Sequence, residues 1–384
     1  MKKMILFGAA AVMMAFSASA QMSLVKDLEK KAASNDVNAM MEVLQSIEPA
    51  LTNPESANNV LTWYTAGKAA FGLFDEMYKV QLLKPDAVDT EMMGSALLSG
   101  YEYYLKALPM DSVPEVNKDG SLKLNKDGSK KIKTKYSKDI VANLVAHMND
   151  ILRVADNCRN AEKWDLAADA YGYFADMATS SFAKKNNIEY PDSSIAEIRF
   201  LQGFSQYFSK DYAGAYENCS KSHKMGYNSN NIVGIMTSSL ANVVQGMIDN
   251  KEYDKAMSYI DNAISSDPNN AVLYDIKGFT AELQNGPEAA MPFYEKAIQV
   301  DPSYPNAYSD AARCLVLKAQ QIVDSNPDAS NKDLLPKVQP LYDQAIPLLE
   351  KAIELNPEVP NAKNLLDNIR YWLVDIMGLQ QYAK

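Results

Sequence analysis

Apolar and polar residues alternate with the period of an α-helix along most of the chain. The clearest runs are EYDKAMSYIDNAISSDPNN, GPEAAMPFYEKAIQVDPSY and PLYDQAIPLLEKAIELNPE, in which apolar residues recur every three or four positions. Each run ends at an Asp-Pro or Asn-Pro step. Proline has no amide hydrogen to continue a helix, so the pattern predicts three amphipathic helices that each stop at a proline.

The three runs are copies of one unit. Ala256 recurs as Ala290 and Pro268 as Pro302, in both cases 34 residues later, and the third run keeps the same internal spacing. A fixed period of this length is typical of a repeat protein, in which each repeat is one supersecondary unit that buries its apolar face against its neighbours.

The residue types at the repeated positions have a packing explanation. Ala290 and Ala297 lie seven residues apart on one helix face, so their small side chains let that helix approach its neighbours closely. Tyr294 fills the space between them. Gly278, on the preceding helix, permits a tight crossing within the pair, and Pro302 turns the chain.

A 34-residue pair of helices with these residues resembles the tetratricopeptide repeat (TPR), whose signature positions are held here by Tyr274, Gly278, Ala290, Tyr294, Ala297 and Pro302. The resemblance implies an all-α fold of the TPR-type α-solenoid class, a right-handed superhelix of helical hairpins. It also implies a concave face lined by the first helix of each pair, and a non-catalytic role in binding a protein or peptide.

Weaker copies extend the resemblance upstream, through YAGAYENC and KWDLAADAYGYF to TWYTAGKAAFG near the N-terminus. The last two helices are separated by extra residues, which we interpret as lengthened helices and a longer loop. The predicted domains are a signal peptide (1–20), an N-terminal TPR-like region (21–113), a lysine-rich β-hairpin insert (114–136), a TPR superhelix with a C-terminal capping helix (137–375) and a tail (376–384).

The N-terminus has the three parts of a secretory signal peptide. Lys2 and Lys3 precede an apolar run, and Ala18-Ser19-Ala20 forms a small-residue cleavage site. No cysteine follows that site, since the first is Cys158, so we expect no lipoprotein anchor. The predicted location is the periplasm or the extracellular space, as a soluble chain with no membrane span. The signal together with the WYTAGK and KYSKDI stretches is similar to envelope TPR proteins of Bacteroidota.

Charge is distributed unevenly along the chain. The whole sequence has pI 4.9 and net charge -10, whereas residues 117–138 carry eight lysines and two aspartates. NKDGS occurs twice there, eight residues apart, and Asp-Gly favours two-residue hairpin turns with positive φ at both positions. We predict a β-ribbon whose apolar face, with Ile132, Thr134 and Tyr136, rests on helices.

Two interpretations of the lysines in this ribbon remain open. Lys130, Lys131, Lys133 and Lys135 form either a solvated edge that resists pairing with other strands, or a basic finger. Such a finger would dock an anionic surface or fold over the acidic part of the chain.

The sequence contains no recognisable catalytic motif. Its two histidines, His147 and His223, fall in different helical runs, and no phosphate-binding or nucleophile motif occurs. We therefore expect no enzyme activity, no cofactor and no metal. The acidic balance argues against nucleic-acid binding, and the odd number of cysteines predicts buried thiols rather than disulfides.

The concave face is the predicted binding site. Aligning the chain with the TPR pattern places five residues there: Phe200, Phe204, Tyr207, Phe279 and Arg313. The first three lie on one stripe of a helix, which is equally compatible with a place in the core. The predicted function is a protein- or peptide-binding scaffold. The alternative is a glycan-binding accessory protein of a nutrient-uptake system, which would show an exposed platform of Trp and Tyr rings.

Overall fold

The computed structural model describes residues 18–383. All but the last three residues of the predicted signal peptide lie outside the described residues. The chain divides after Ile232 into two compact units, called unit 1 (up to Ile232) and unit 2 (from Val233).

Unit 1 is built from pairs of helices joined by short turns. Its helices are α1 (Ala18–Lys31), α2 (Val37–Thr52), α3 (Val60–Leu83), α4 (Thr90–Met110), α5 (Ser137–Ala146), α6 (Met148–Asn160), α7 (Trp164–Ala178), α8 (Ser181–Lys185), α9 (Asp192–Phe208) and α10 (Tyr212–Lys224). Helix α3 packs on α4, α6 on α7, and α9 on both α7 and α10. These contacts bury one continuous apolar core from Val25 to Ile198.

Unit 2 contains the clearest repeats of the sequence. Its helices are α11 (Ile232–Asp249, which begins at the division), α12 (Tyr253–Ser266), α13 (Ala271–Asn285), α14 (Pro287–Val300), α15 (Pro305–Asp324), α16 (Asn331–Leu355) and α17 (Ala362–Arg370). Helix α13 pairs with α14 and α15 with α16, while α17 covers α16. The chain continues from α17 into one π-helical turn over residues 371–376.

The repeated glycine and small residues lie at the crossings of the helical pairs. A Cβ atom added to Gly278 in α13 would lie 2.6 Å from Cε1 of Tyr294 in α14, and one added to Gly203 in α9 would lie 2.5 Å from Sγ of Cys219 in α10. Ala290, like Tyr294, is fully buried. The packing expected from the sequence is therefore confirmed: only a glycine fits where each pair crosses.

The extra residues of the last pair lie mainly within the helices. Helix α15 has 20 residues and α16 has 25, and six residues, 325–330, connect them. Beyond α17, Leu373 is fully buried and Trp372 packs edge-on against Tyr342, with ring centroids 5.7 Å apart. The predicted capping role of the C-terminal segment agrees with this burial.

The segment between α4 and α5 is the part of the described chain that forms β-structure. Strands β1 (Val113–Pro114) and β2 (Ile132–Lys133) pair antiparallel, and isolated bridges join Val116 to Leu122 and Leu124 to Lys130. The all-α fold with a small β insertion is thus confirmed for the described residues.

Helix α11 is long and apolar enough to cross a membrane by length and composition alone, with 18 residues, mean hydropathy 1.2 and 39% of the helix buried. Ile235, Leu240 and Val244 are buried, whereas Val233, at its start, is half exposed.

Candidate functional site

The five predicted groove residues fall in both units, three in unit 1 and two in unit 2. In unit 1, Phe200 of α9 is only 7% exposed and packs against Tyr227, with ring centroids 5.1 Å apart. Tyr207 turns toward Tyr212 of the next helix, at 5.7 Å. Tyr207 also contacts Phe208, with ring centroids 5.6 Å apart, so Phe204 and Tyr207 both join an aromatic surface. Phe200 is buried, so the stripe serves partly as core, as the second interpretation allowed.

That aromatic surface includes two residues that were not predicted. Phe208, at the end of α9, is 48% exposed, and Trp164, at the start of α7, stacks on it with ring centroids 4.8 Å apart. Phe204 lies 4.8 Å from Phe208 and 6.2 Å from Trp164. Phe204 and Phe208 are four residues apart on α9, a helical spacing, whereas Trp164 comes from the start of α7, so no periodic pattern in the sequence joins it to them.

In unit 2, Arg313 of α15 is committed to internal partners. Its guanidinium pairs with Glu282 of α13 and lies 3.0 Å from Oδ1 of Asp310. It also donates to the hydroxyl of Tyr294, at 3.3 Å. With its donors used in this way, Arg313 holds α13, α14 and α15 together, while Phe279 on α13 is 40% exposed.

Beside this ion pair lies a carboxyl pair, Asp275 and Asp310. Oδ2 of Asp275 accepts a hydrogen bond from the hydroxyl of Tyr304, at 3.0 Å, whereas its Oδ1 is buried without a partner. Burial, followed by the negative charge of Asp310, raises the pKa of Asp275 to about 7. Burial also raises the pKa of Asp310, although Arg313 opposes the shift. A proton shared by the two carboxyls would satisfy the orphaned oxygen.

A cleft that the sequence did not predict lies over α3 in unit 1, with a volume of about 420 Å³. Its lining is partly aromatic and partly polar and includes Tyr64, Lys68, Phe71, Asp75, Asp139 and Asn143. The Lys68 ammonium lies 6.0 Å from the ring centroid of Tyr64 and has no ion pair or hydrogen bond among the described residues. The cleft therefore combines an apolar surface with a cation that has no internal partner.

A buried histidine contacts two residues of the cleft lining, Phe71 and Asp75. His147 stacks on Phe71 with ring centroids 4.8 Å apart, its Nδ1 lies 2.8 Å from Asp150, and its Nε2 lies 3.8 Å from Asp75. Burial raises the pKa of Asp75, against the opposing effect of His147. Through these contacts His147 links α3 to α6.

The β insert is closed by a buried carboxylate. Asp111, 3% exposed, accepts hydrogen bonds from the amides of Lys135, Tyr136 and Ser137 and from the Ser137 hydroxyl, at 2.6 to 2.9 Å. Burial alone would raise the pKa of Asp111, but the hydrogen bonds outweigh it and the pKa is lowered. Tyr136 stacks on Tyr64 at 4.3 Å, which fixes the base of the insert to α3.

Three short extended segments, centred on Glu115, Lys123 and Lys131 and called here the three strands of the insert, form a ring with an eight-residue period. The amide of Glu115 donates to the carbonyl of Lys131, that of Lys131 to Lys123, and that of Lys123 to Glu115, all at 2.8 Å. Asp119 binds the amide and hydroxyl of Ser121 in the same way that Asp111 binds those of Ser137. Because Asp111 precedes Asp119 by eight residues, it supplies the missing cap of the third strand from the start of the insert.

The turns differ from the predicted two-residue hairpins. Asn117 pairs with Ser121, and the Gly120 amide donates to the carbonyl of Asn117, at 3.0 Å, which makes a three-residue loop. Of the two turn residues only Gly120 has a positive φ, 84°. This is the loop in which a type I turn ends at a left-handed glycine.

The expected burial of the insert's apolar face is wrong. Tyr136 is buried, but Ile132 is 42% exposed and Thr134 is exposed as well. The other aliphatic residues of the insert, Val113, Val116, Leu122 and Leu124, are between 43% and 59% exposed. The ring of backbone hydrogen bonds holds the strands in place, so the insert does not need an apolar face against the helices.

The lysines of the insert are mostly unpaired. Glu115 pairs with Lys123 at 3.2 Å and with Lys131 at 3.4 Å, and Lys135 lies over the Tyr136 ring. Four others, Lys118, Lys126, Lys130 and Lys133, are exposed and have no internal partner among the described residues. Of the predicted basic finger, Lys130 and Lys133 are thus the residues available to a partner.

Groups of acidic, histidine or cysteine side chains that could hold a metal do not occur in residues 18–383. The thiols of Cys158, Cys219 and Cys314 are buried and form no disulfide. Burial raises the pKa of the Cys158 and Cys219 thiols to about 12, so they are unreactive at neutral pH.

Comparison with known proteins gives several structural matches. The sequence matches no protein-family model and no curated protein. Similar solved structures include a TPR repeats protein from Bacteroides fragilis (16% identity over 58% of this chain and 97% of that chain, TM-score 0.34). They also include MamA (18% identity, 56% and 94%, TM-score 0.31) and YrrB, titled a TPR protein with an unusual peptide-binding site (14% identity, 56% and 89%, TM-score 0.31).

Likenesses of this size carry no argument about function, and the fold rests on the chain's own features. These are the pairing of the helices, the 34-residue period, and the glycine, alanine and tyrosine residues at the crossings. Together they show that the chain has the helical-hairpin repeat fold of tetratricopeptide-repeat proteins, with a β insert in unit 1.

Proposed function

We propose that the protein is a non-catalytic scaffold of the cell envelope that binds a protein or peptide. The observation that carries this proposal is the cleft over α3, where the Lys68 ammonium lies 6.0 Å from the Tyr64 ring centroid and has no hydrogen bond or ion pair among the described residues. A buried or half-buried charge without a partner loses hydration for no compensation, so such a cleft favours a ligand that supplies an anionic or polar group.

The ligand chemistry follows from the lining. Tyr64 and Phe71 provide apolar contact, Asn143 provides an amide, and Lys68 provides the cation. Asp75 and Asp139 lie toward the two ends of the cleft, where they would repel a uniformly acidic ligand. An extended peptide with apolar side chains and one central acidic residue matches this order of charges.

The test uses peptides selected from a random display library against the chain from Gln21 onward, with affinities measured by fluorescence anisotropy. Lys68→Gln should weaken the selected peptides at least fivefold, because it removes the charge partner. Lys84→Gln, just beyond the end of α3 and outside the cleft lining, is the matched control and should bind as the wild type does. Peptides that bind both variants equally would place the site elsewhere.

A glycan-binding role is the second candidate, and the surface of Trp164 and Phe208 favours it. Aromatic rings at partly exposed positions are the usual contacts for sugar rings, and Tyr207 adjoins this surface with its ring centroid 5.6 Å from that of Phe208. Titration with envelope polysaccharides, followed by Trp fluorescence, should show a shift that Phe208→Ser abolishes. An unchanged spectrum with every polysaccharide would exclude it.

The location is part of the proposal. Support for export comes from the charged start, apolar run and small-residue site of the first 20 residues. Mass spectrometry of the chain recovered from the envelope of its native cell should find Gln21 as the N-terminal residue; a chain that begins at Met1 would exclude export by this route.

A further inference from the structure

We propose that the β insert, residues 113–135, docks on an anionic phospholipid surface with its turns foremost. This site is separate from the cleft over α3, and the inference goes beyond peptide binding. It rests on three features of the insert: its charge, its exposed aliphatic side chains and its rigid shape.

The charge of the insert is opposite to that of the chain. Residues 113–135 hold seven lysines against Glu115, Asp119 and Asp127, which leaves +4 in a chain of net charge -10. An anionic surface would attract this segment and repel the rest, so the charge distribution orients the chain with the insert toward the surface. Lysines near an anionic bilayer are attracted to its surface, and this attraction falls off within a Debye length.

The exposed aliphatic residues lie next to the turns. Val116 and Leu122 face each other directly behind the Gly120 turn, and Leu124 lies opposite Lys130 behind the Gly128 turn. Neither glycine has any atom within 4 Å of the position its Cβ would take, so both turns are open to their surroundings. Apolar side chains behind charged tips suit the boundary between headgroups and acyl chains, where lysine stems also extend along apolar surface.

The composition of the insert disfavours other anionic partners. Residues 113–135 contain no aromatic residue and no arginine. Single-stranded nucleic acids are recognised by stacking on aromatic rings, and phosphate groups on peptides are recognised by the fork of an arginine side chain. Lysine acts as a point charge and suits a surface of many phosphates without fixed geometry.

The ring of hydrogen bonds makes this docking economical. The three strands are closed on each other through Glu115, Lys123 and Lys131, and Asp111 fixes the last strand. The backbone of the insert is therefore fixed before contact, and binding orders little of it.

The experiment is vesicle co-flotation of the chain from Gln21 onward, since residues 1–20 would bind bilayers by themselves. Vesicles of phosphatidylcholine with about one third phosphatidylglycerol are compared with pure phosphatidylcholine at low and high salt. We expect binding only to the anionic vesicles, lost at about 0.5 M salt where charges are screened within a few Å. Binding that is equal on neutral vesicles, or absent from both, overturns the proposal.

Two variants with equal charge change locate the site. The first variant should bind with a partition constant at least tenfold lower, which corresponds to about 1.4 kcal/mol. It carries Lys118→Gln, Lys126→Gln, Lys130→Gln and Lys133→Gln. The control carries Gln at four exposed helix lysines without internal partners, Lys185, Lys296, Lys332 and Lys363, and should bind as the wild type does. Equal losses in the two variants would show a net-charge effect and overturn the proposal.

The aliphatic contribution is tested separately. A variant with Leu122→Asn and Leu124→Asn should have a severalfold lower partition constant. The dependence of that constant on salt should be unchanged, because no charge is altered. Circular dichroism melting of each variant confirms that the fold persists. Wild-type binding by the Leu122 and Leu124 variant would refute contact of the turns with the acyl boundary.

Discussion

Replacing Asp111 with alanine tests how the β insert is held on unit 1. The carboxylate is 3% exposed and satisfies four donors, the amides of Lys135, Tyr136 and Ser137 and the hydroxyl of Ser137. These donors belong to the last strand and to the start of α5, so one side chain joins the end of α4 to both.

The magnitude follows from the number and kind of these bonds. A hydrogen bond to a charged group contributes about 1.5–3 kcal/mol, and an orphaned buried amide costs about 1–3 kcal/mol. The four bonds share one carboxylate and are not additive, and water can reach the exposed Lys135. We expect Asp111→Ala to lower the free energy of local unfolding of the insert by about 2–4 kcal/mol.

Hydrogen exchange read by mass spectrometry is the assay, because it separates local opening from global unfolding. Peptides covering residues 113–137 should exchange much faster in Asp111→Ala, while those from α13 and α14 should be unchanged. Asp119→Ala removes the equivalent cap of an exposed turn and should leave the amides of residues 135–137 protected. Equal protection of those amides in wild type and Asp111→Ala would refute the anchoring role.

The pH dependence of this effect has a definite sign. The folded pKa of Asp111 is lowered, so its stabilising contribution is fully present above the unfolded value of about 3.9 and is lost as pH falls through the folded pKa. The difference in exchange between wild type and Asp111→Ala should therefore be constant from about pH 5 to 8 and diminish below about pH 4.

Three further predictions concern unit 2 and are tested by thermal or urea unfolding. Gly278→Ala should destabilise the chain by about 1–3 kcal/mol, because the added Cβ would meet a tyrosine ring at 2.6 Å. The control Gly234→Ala, whose Cβ would meet no atom within 4 Å, should be neutral or stabilising. Equal melting temperatures of the two variants would mean that the crossing at Gly278 is not tight. Because the folded pKa of Asp275 is raised, its protonated carboxyl stabilises the wild-type chain at low pH, and this contribution should be lost between about pH 4 and 7. Asp275→Asn should abolish that fall in the free energy of unfolding. A variant whose stability changes with pH as the wild type's does would contradict the shared proton. Arg313→Gln should cost about 3–5 kcal/mol by leaving Glu282 buried and unpaired. The double variant Arg313→Gln/Glu282→Gln should lose less stability, because it also removes the orphaned charge. A larger loss in the double variant than in Arg313→Gln alone would contradict this reasoning.

The repeat and its packing were predictable from the sequence because they depend on local spacing. Gly278, Ala290 and Tyr294 are close along the chain, and their periodicity on two successive helices determines which faces meet. The same holds for the lengthened α15 and α16, whose apolar pattern continues through the extra residues. Of the candidate site, the sequence indicated the lysine-rich insert and its eight-residue repetition.

Tertiary structure alone decided which of these residues are available to a partner. Phe200 is buried and Phe208 exposed although they lie on one helix, because the neighbouring α7 and the segment around Tyr227 cover different parts of it. The cleft over α3 joins residues from helices far apart in the chain. The closing role of Asp111 is likewise non-local: its donors follow 24 to 26 residues later. Helical periodicity determines a helix's inward face, but only the neighbours that pack there decide which side chains remain exposed.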